Sequence, residues 1–254
     1  MYDNICKFIA ENFKDDISTW LLGKPLELTK LSPTELSLEP IRADSLILQE
    51  SEKLVLHIEF QTQIDKEIPF RMTDYRLRVY RRFPQKEMRQ IIIYLTPTNS
   101  PLVHQNYFKL KNTYHEFEII RLWEQPTEIF FKSQGLLPFA VLSKSDNPLE
   151  ILTQVAQEID KIDQKRIRSN LTAASSILAG LQLKQELIQQ ILRRDMMRES
   201  VIYQEILNEG KLEGKLEVAL NLLRENITIE EVKRFTGLSI ELLENFQKEM
   251  NIQN

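Results

Sequence analysis

Residues 90–95, QIIIYL, form a continuous apolar strand bounded by PTNSP. Its place in the chain constrains the fold more than any other feature. Upstream, RADSLILQESEKLVLHIEFQT (42–62) reads as two short strands joined by a charged tip at Ser51 and Glu52. Pro69 then opens a helical stretch, PFRMTDYRLRVYRRF, which Pro84 stops. FEIIRLW (117–123) is a further strand. At the start, Phe8, Ile9, Phe13, Ile17, Trp20 and Leu21 recur at helical spacing, so residues 3–22 read as one amphipathic helix ending near Gly23 and Pro25. The three prolines within 24–40 read as a loop, with room for a short strand. The order helix, strand, strand, helix, strand, strand implies an α/β core with a mixed sheet.

The character changes near residue 146. After Pro148, as far as Asn226, there is no proline and only helical periodicity. Ile151, Val155, Ile159 and Ile162 make one stripe; Leu187, Ile188, Ile191 and Leu192 make another. This divides the chain into an α/β domain over 1–145 and a helical C-terminal region over 146–254. The repeat GKLEGKLE (210–217) puts Gly210 and Gly214 on one helix face, where they would allow another helix, such as one in a homodimer, to come close. Two short helices close the tail. Thr228 and Glu231 form a capping box for the first, Gly237 stops it, and Ser239 caps the next.

Composition excludes several classes. At 254 residues, 42% hydrophobic and 28% charged, the chain can build an ordinary globular core. A net charge of -4 gives no global attraction to nucleic acid, so any such binding needs a local basic patch. Cys6 is the one cysteine, which excludes an intramolecular disulfide and a cysteine-cluster zinc site. Acids and a lysine interrupt the first residues as a signal peptide would not allow. No apolar run approaches the ~20 residues that span a bilayer. The expectation is a cytoplasmic protein with no membrane partner.

The hairpin carries an anomaly. Asp44 and Glu59 sit in otherwise good strand sequence, and charges are seldom buried unpaired. With Ser51 and Glu52 at the tip, Gln49 faces Leu54, Leu46 faces His57 and Asp44 falls opposite Glu59. By alternation Gln61 joins the two acids on one face. Carboxylates placed opposite each other repel, so one holds a proton or a cation sits between them. A hard divalent ion suits two such oxygen ligands, magnesium above all. The alternative is a solvated sheet face with no role.

The pattern as a whole is more specific. Asp44, then Glu59-x-Gln61 on the adjacent strand, then Phe70-Arg71 and Tyr75 in the next helix, resembles the PD-(D/E)xK nuclease superfamily. Within it the chain resembles the Rpn family of recombination-promoting nucleases, often labelled transposases. RADSLIL, HIEFQT, PFRMTDY and the tail EGKLEGKLEVALNLL…TIEEVKRFTGLS carry the resemblance over about residues 40–245. It implies a restriction-endonuclease-like core, a mixed central sheet flanked by helices, whose hairpin holds the metal. Asp44, Glu59 and the Phe60 carbonyl would bind Mg2+ (Mn2+ and Ca2+ being alternatives), and bound water would attack a DNA phosphodiester. Ala43 replaces the superfamily's proline and Gln61 its lysine. Glutamine can orient water by hydrogen bonds but adds no charge. Glu35 and Glu39 are candidates for an assisting acid, with no motif to anchor either.

Between Pro69 and Arg89 lie seven basic residues against two acids. At ~100° per residue Arg71, Tyr75, Arg78 and Arg82 fall on one stripe and Met72, Val79 and Phe83 on another. A basic stripe with an aromatic suits a nucleic-acid backbone, whereas most such patterns are solvated amphipathic helices. His57 reads as a histidine packed beside the hairpin rather than a ligand. His104 and His115 read as surface residues, and Trp20 and Trp123 as core. Cys6 has no His–Asp constellation near it in sequence and reads as no nucleophile. TIEEVKRFTGLSIELLENF resembles a helix-turn-helix, but its second helix holds Glu241, Glu244 and Glu249 against Lys248 and would repel DNA. Protein–protein packing is the better reading of the tail. The leading hypothesis is a Mg2+-dependent endodeoxyribonuclease; a catalytically silent DNA-binding or interaction protein is second. A transposase proper is set aside, since nothing indicates strand joining.

Overall fold

The computed structural model describes residues 2–30, 46–192, 197, 199–225 and 227–245. The chain is an α/β protein with a mixed five-stranded sheet flanked by helices. Residues 44, 35, 39 and 43, which carry the expectations for Asp44, Glu35, Glu39 and Ala43, lie outside the described residues.

Two helices open the chain, α1 (Tyr2–Asn12) and α2 (Lys14–Leu22), in place of the single helix expected. The break falls at Phe13, whose φ of -122° and ψ of 51° leave the helical region. There Phe13 meets Gly135: a Cβ built on that glycine would lie 2.3 Å from the Phe13 Cβ. Asp16, in the first turn of α2, accepts a hydrogen bond from the Gly135 N–H at 2.7 Å. A straight helix would separate these groups. Gly23 ends α2 at φ 76°, as its position in the sequence implies.

The sheet runs β1 (Thr29–Lys30), β2 (Leu46–Glu50), β3 (Leu54–Gln61), β4 (Glu87–Tyr94), and β7 (Glu118–Arg121) in space. The first three strands are antiparallel neighbours; β4 is parallel to β3, and β7 to β4. Helix α3 (Ile68–Arg82) makes the crossover that a parallel β3–β4 pair requires. The expected strand at 90–95 thus becomes β4, with Ile91, Ile92 and Ile93 wholly buried. A small separate hairpin, β5 (Tyr107–Leu110) with β6 (Thr113–Glu116), precedes β7.

The hairpin register differs from expectation. Glu50 pairs with Val55, Leu48 with His57 and Leu46 with Glu59, so the turn is made by Glu52 and Lys53. The Ser51 N–H donates to the Leu54 carbonyl across it. The strands are offset by two residues from the predicted pairing. Because side chains alternate with a period of two, an even offset leaves those of His57, Glu59 and Gln61 on their predicted face.

After β7 the chain lays a 3-10 segment, Gln134–Leu142, with Gly135 through Leu142 buried. Sequence periodicity gave no sign of it, since an unbroken apolar run has no period. Helices α4 (Pro148–Asp160), α5 (Lys165–Ala179) and α6 (Gln185–Ile191) follow, and α4 and α5 pack on the 3-10 segment. All described regular elements after Pro148 are helical. The compact units divide between Ile202 and Tyr203, not at that change of character. The second unit, 203–254, contains most of α7 (Val201–Arg224) and α8 (Ile229–Thr236). Its core is Ala219, Leu223, Val232, Leu238 and Leu243. Thr228 accepts from the Glu231 N–H, Gly237 takes φ 70°, and Ser239 accepts from the Leu242 N–H, all as the capping signals indicate. A Cβ on Gly210 or Gly214 would meet nothing within 4 Å. No described helix is long and apolar enough to cross a membrane.

Candidate active site

Strand β3 is buried on both faces, and the faces differ in chemistry. Leu56, Ile58 and Phe60 point one way, where the Phe60 ring stacks on Phe139 at 5.6 Å with a 4° interplanar angle. Val55, His57, Glu59 and Gln61 point the other way, toward α3. In a sheet with parallel strands the C-terminal strand ends are the usual place for a site, and Glu59 and Gln61 lie at that end of β3.

The Glu59 side chain is 1% exposed. Its Oε2 accepts from Arg71 Nη2 at 2.9 Å and from Gln61 Nε2 at 3.3 Å, and its Oε1 accepts from Arg71 Nε at 3.5 Å. His57 Nε2 lies 3.4 Å from Oε1. That contact is too poorly aligned to count as a hydrogen bond, so Nε2 remains a buried polar atom with no closer partner. Burial by itself would raise the Glu59 pKa; the facing His57 ring and the bonds and charge of Arg71 outweigh it and hold the carboxyl below its ordinary value. Glu59 is therefore ionised.

Arg71 reaches down from the first turns of α3 and joins two acids. Its Nη1 donates to Asp65 Oδ2 at 2.7 Å, while the rest of the guanidinium faces Glu59. Burial works against its charge, and the bonds to Glu59 and Asp65 overcome that and raise its pKa. Asp65 is held low as well: partial burial opposes ionisation, but the Glu67 N–H and Arg71 prevail. Asp65 lies in the connection between β3 and α3, where no motif marked it.

Tyr75, expected beside the arginines on a nucleic-acid face, is 4% exposed and packs with Val55 and Val79. Its ring meets His57 edge-on at 5.2 Å. The reason is angular: at ~100° per residue Tyr75 lies roughly 40° from both Arg71 and Val79, and the aromatic ring goes with the apolar side. Burial and the Glu59 charge push its hydroxyl up to about 12. Arg78 bonds Asp74 at 2.8 Å, and the Arg82 guanidinium lies over its neighbour Phe83 at 5.5 Å. The predicted stripe is thus dispersed: Arg71 turns inward, Arg78 is paired along the helix, and Arg82 is exposed near the far end.

Behind Glu59 the polar face continues. Gln90, opposite His57 in the β3–β4 register, places Nε2 2.9 Å from His57 Nδ1 and donates to the Met72 carbonyl at 2.8 Å. His115, on β6, brings Nε2 within 2.7 Å of Gln90 Oε1. His115 is half-buried in this contact, not a free surface residue, whereas His104 is exposed. Gln90 could have been flagged in the sequence as the polar first residue of an otherwise apolar strand. His115 carried no signal.

Cys6 is fully buried and burial pushes its thiol well up, which agrees with an inert core cysteine. Trp20 packs edge-on against Phe130 at 5.3 Å, and Trp123 flanks the cluster around Ile92 and Tyr94.

As a metal ligand, ionised Glu59 is a hard oxygen donor of the kind magnesium takes. Among the described residues no three His, Cys, Asp or Glu side chains are grouped to hold a metal, and a guanidinium already neutralises Glu59. The donor set fits a divalent ion only if Asp44 joins it. Compared with protein-family models, curated proteins and solved structures, the chain matches none.

Proposed function

We propose that the chain is a divalent-metal-dependent DNA endonuclease with a restriction-endonuclease-like core, its reacting centre at the C-terminal end of β3. The observation that carries this reading is the buried Glu59, bonded to Arg71 and with Gln61 beside it, in a strand flanked by an antiparallel and a parallel neighbour. Removing a carboxylate from water is costly, and Gln61 and Arg71 are arranged to offset the cost. Asp44, Glu59 and the Phe60 carbonyl would hold Mg2+. When bound, the ion would supply an acidified water and charge opposite the phosphate.

The chain's own residues have separable tasks. Glu59 binds as an anion because His57 and Arg71 keep it ionised. Gln61 can turn its amide from Glu59 toward a water and orient it without adding charge. Arg71, 29% exposed, offers a cation at the mouth of the site, where a phosphate can compete for it with Asp65. Arg78 and Arg82 serve at most as outlying phosphate contacts.

The Arg71–Glu59 pair favours a second reading: a guanidinium takes the cation's place permanently and the chain is a catalytically silent DNA-binding or interaction protein. Plasmid nicking with Mg2+ or Mn2+, with and without chelator, separates the two. Chelator-sensitive nicking that Gln61→Ala slows by about 10²–10³-fold supports the nuclease. Intact plasmid under both metals, with DNA retained in a binding assay, supports the silent reading.

A further inference from the structure

The polar chain from Glu59 through His57 and Gln90 to His115 has a direction that its donors and acceptors fix. We propose that Gln90 sets the tautomer of His57, keeping the ring proton on Nε2 so that a buried N–H faces Glu59. His57 and Gln90 are then positioning residues for that carboxylate. The functional part of this inference rests on the reading of Glu59 as the reacting centre; the structural part does not.

The argument starts at Met72. Its carbonyl can only accept, so the Gln90 atom 2.8 Å away is the amide nitrogen. The other end of the same amide agrees, because Oε1 then accepts from His115 Nε2 at 2.7 Å. With Nε2 of Gln90 fixed as a donor, His57 Nδ1, 2.9 Å from it, must accept and carries no proton. The ring proton therefore sits on Nε2, 3.4 Å from Glu59 Oε1. The opposite tautomer would set N–H against N–H at Gln90 and a lone pair against the carboxylate at Glu59. Both contacts would be repulsive in a place without water. His57 is wholly buried and Gln90 is 4% exposed, so solvent cannot relieve either clash. The Tyr75 ring packs edge-on against the imidazole at 5.2 Å.

A hydrogen-bonding orienter behind a buried imidazole is a general way to aim a side chain, and its effect here is to restrict where the Glu59 carboxylate can point. Long-range nitrogen–proton NMR of the imidazoles in the full-length protein reads the tautomer directly. A wild-type pattern with Nε2 protonated and Nδ1 bare supports the proposal; a protonated Nδ1 overturns it. Gln90→Glu keeps the shape but can no longer donate to Nδ1, so Nδ1 should gain a proton in that variant. An unchanged pattern in that variant removes Gln90 from the role. For function, His57→Gln retains a donor toward Glu59, and His57→Phe retains only the packing on Tyr75. Cleavage within a few-fold of wild type for the first and at least tenfold slower for the second, at matched thermal stability, is expected. Equal rates in the two variants would overturn positioning. Absence of cleavage in the wild type would sink the nuclease reading alone, with the tautomer still deciding the structural part.

Discussion

The two faces of β3 are equally dry, yet they hold opposite chemistry. Toward the 3-10 segment lie buried Leu56, Ile58 and Phe60, the last stacked on Phe139, and one Gln49 amide reaches the Ala10 carbonyl at 2.7 Å. Toward α3, His57, Glu59 and Gln61 occupy a layer that a simple core would fill with leucine or valine. The first face obtains its stability from area removed from water and from close contact. The second obtains little, because the desolvation of a carboxylate and a guanidinium offsets most of their attraction. Burial alone therefore does not mark a structural residue. A buried polar cluster centred on one carboxylate, contributing little to stability, is better understood as a device for holding that carboxylate in one state.

That contrast can be broken by substitution. Phe60→Ala should be the most destabilising change, about 3–5 kcal/mol by thermal or denaturant unfolding, since it empties the stack on Phe139. Glu59→Ala should cost less, about 1–3 kcal/mol, because Arg71 keeps Asp65 and remains partly solvated. On the proposed function it should also abolish metal-dependent nicking, while any residual activity of Phe60→Ala at low temperature should stay metal-dependent. A Glu59 variant more damaging to the fold than Phe60→Ala would reverse the assignment of the two faces.

Acid should act on the polar face alone, with a smaller effect. Glu59 and Asp65 both have folded pKa values below their ordinary ones of 4.5 and 3.8. Each stabilises the fold above its ordinary pKa, and the contribution is lost as pH falls through the lowered value. Unfolding free energy followed downward from pH 6 should decline below about 4.5, less steeply in Glu59→Gln. An identical decline in the variant would assign the effect to other carboxylates. Smallest of all, Arg78→Ala should change stability by about 0.5 kcal/mol or less, since its pair with Asp74 lies on the helix surface.

Much of this arrangement is legible in the sequence, and the reasons for the misses are physical. The strand runs, the crossover helix and the caps at Gly23, Thr228 and Gly237 follow from local periodicity and backbone preference. The face assignment of Glu59 and Gln61 survives an error of two in register because alternation depends only on parity. The break at Phe13 does not follow, since its cause is Gly135, more than a hundred residues away. Tyr75 sits midway between two stripes, so its direction depends on what lies opposite. Asp65, Gln90 and His115 are ordinary polar residues until β3, β4 and β6 are brought together, and no spacing in the chain announces that meeting.

The hairpin of β5 and β6 takes on another meaning beside that cluster. A lone two-stranded ribbon is marginal in water and would open many times faster than a sheet. This one has the Tyr107–Tyr114 stack at 5.7 Å along its length, Phe108 edge-on to Phe70 at 5.7 Å, and His115 bonded to Gln90. Opening it costs the interior a hydrogen bond as well as costing the ribbon its own. Its amide protons should therefore exchange with deuterium on the timescale of the central strands, and the ribbon's local opening becomes a measure of how firmly the layer around Glu59 is closed.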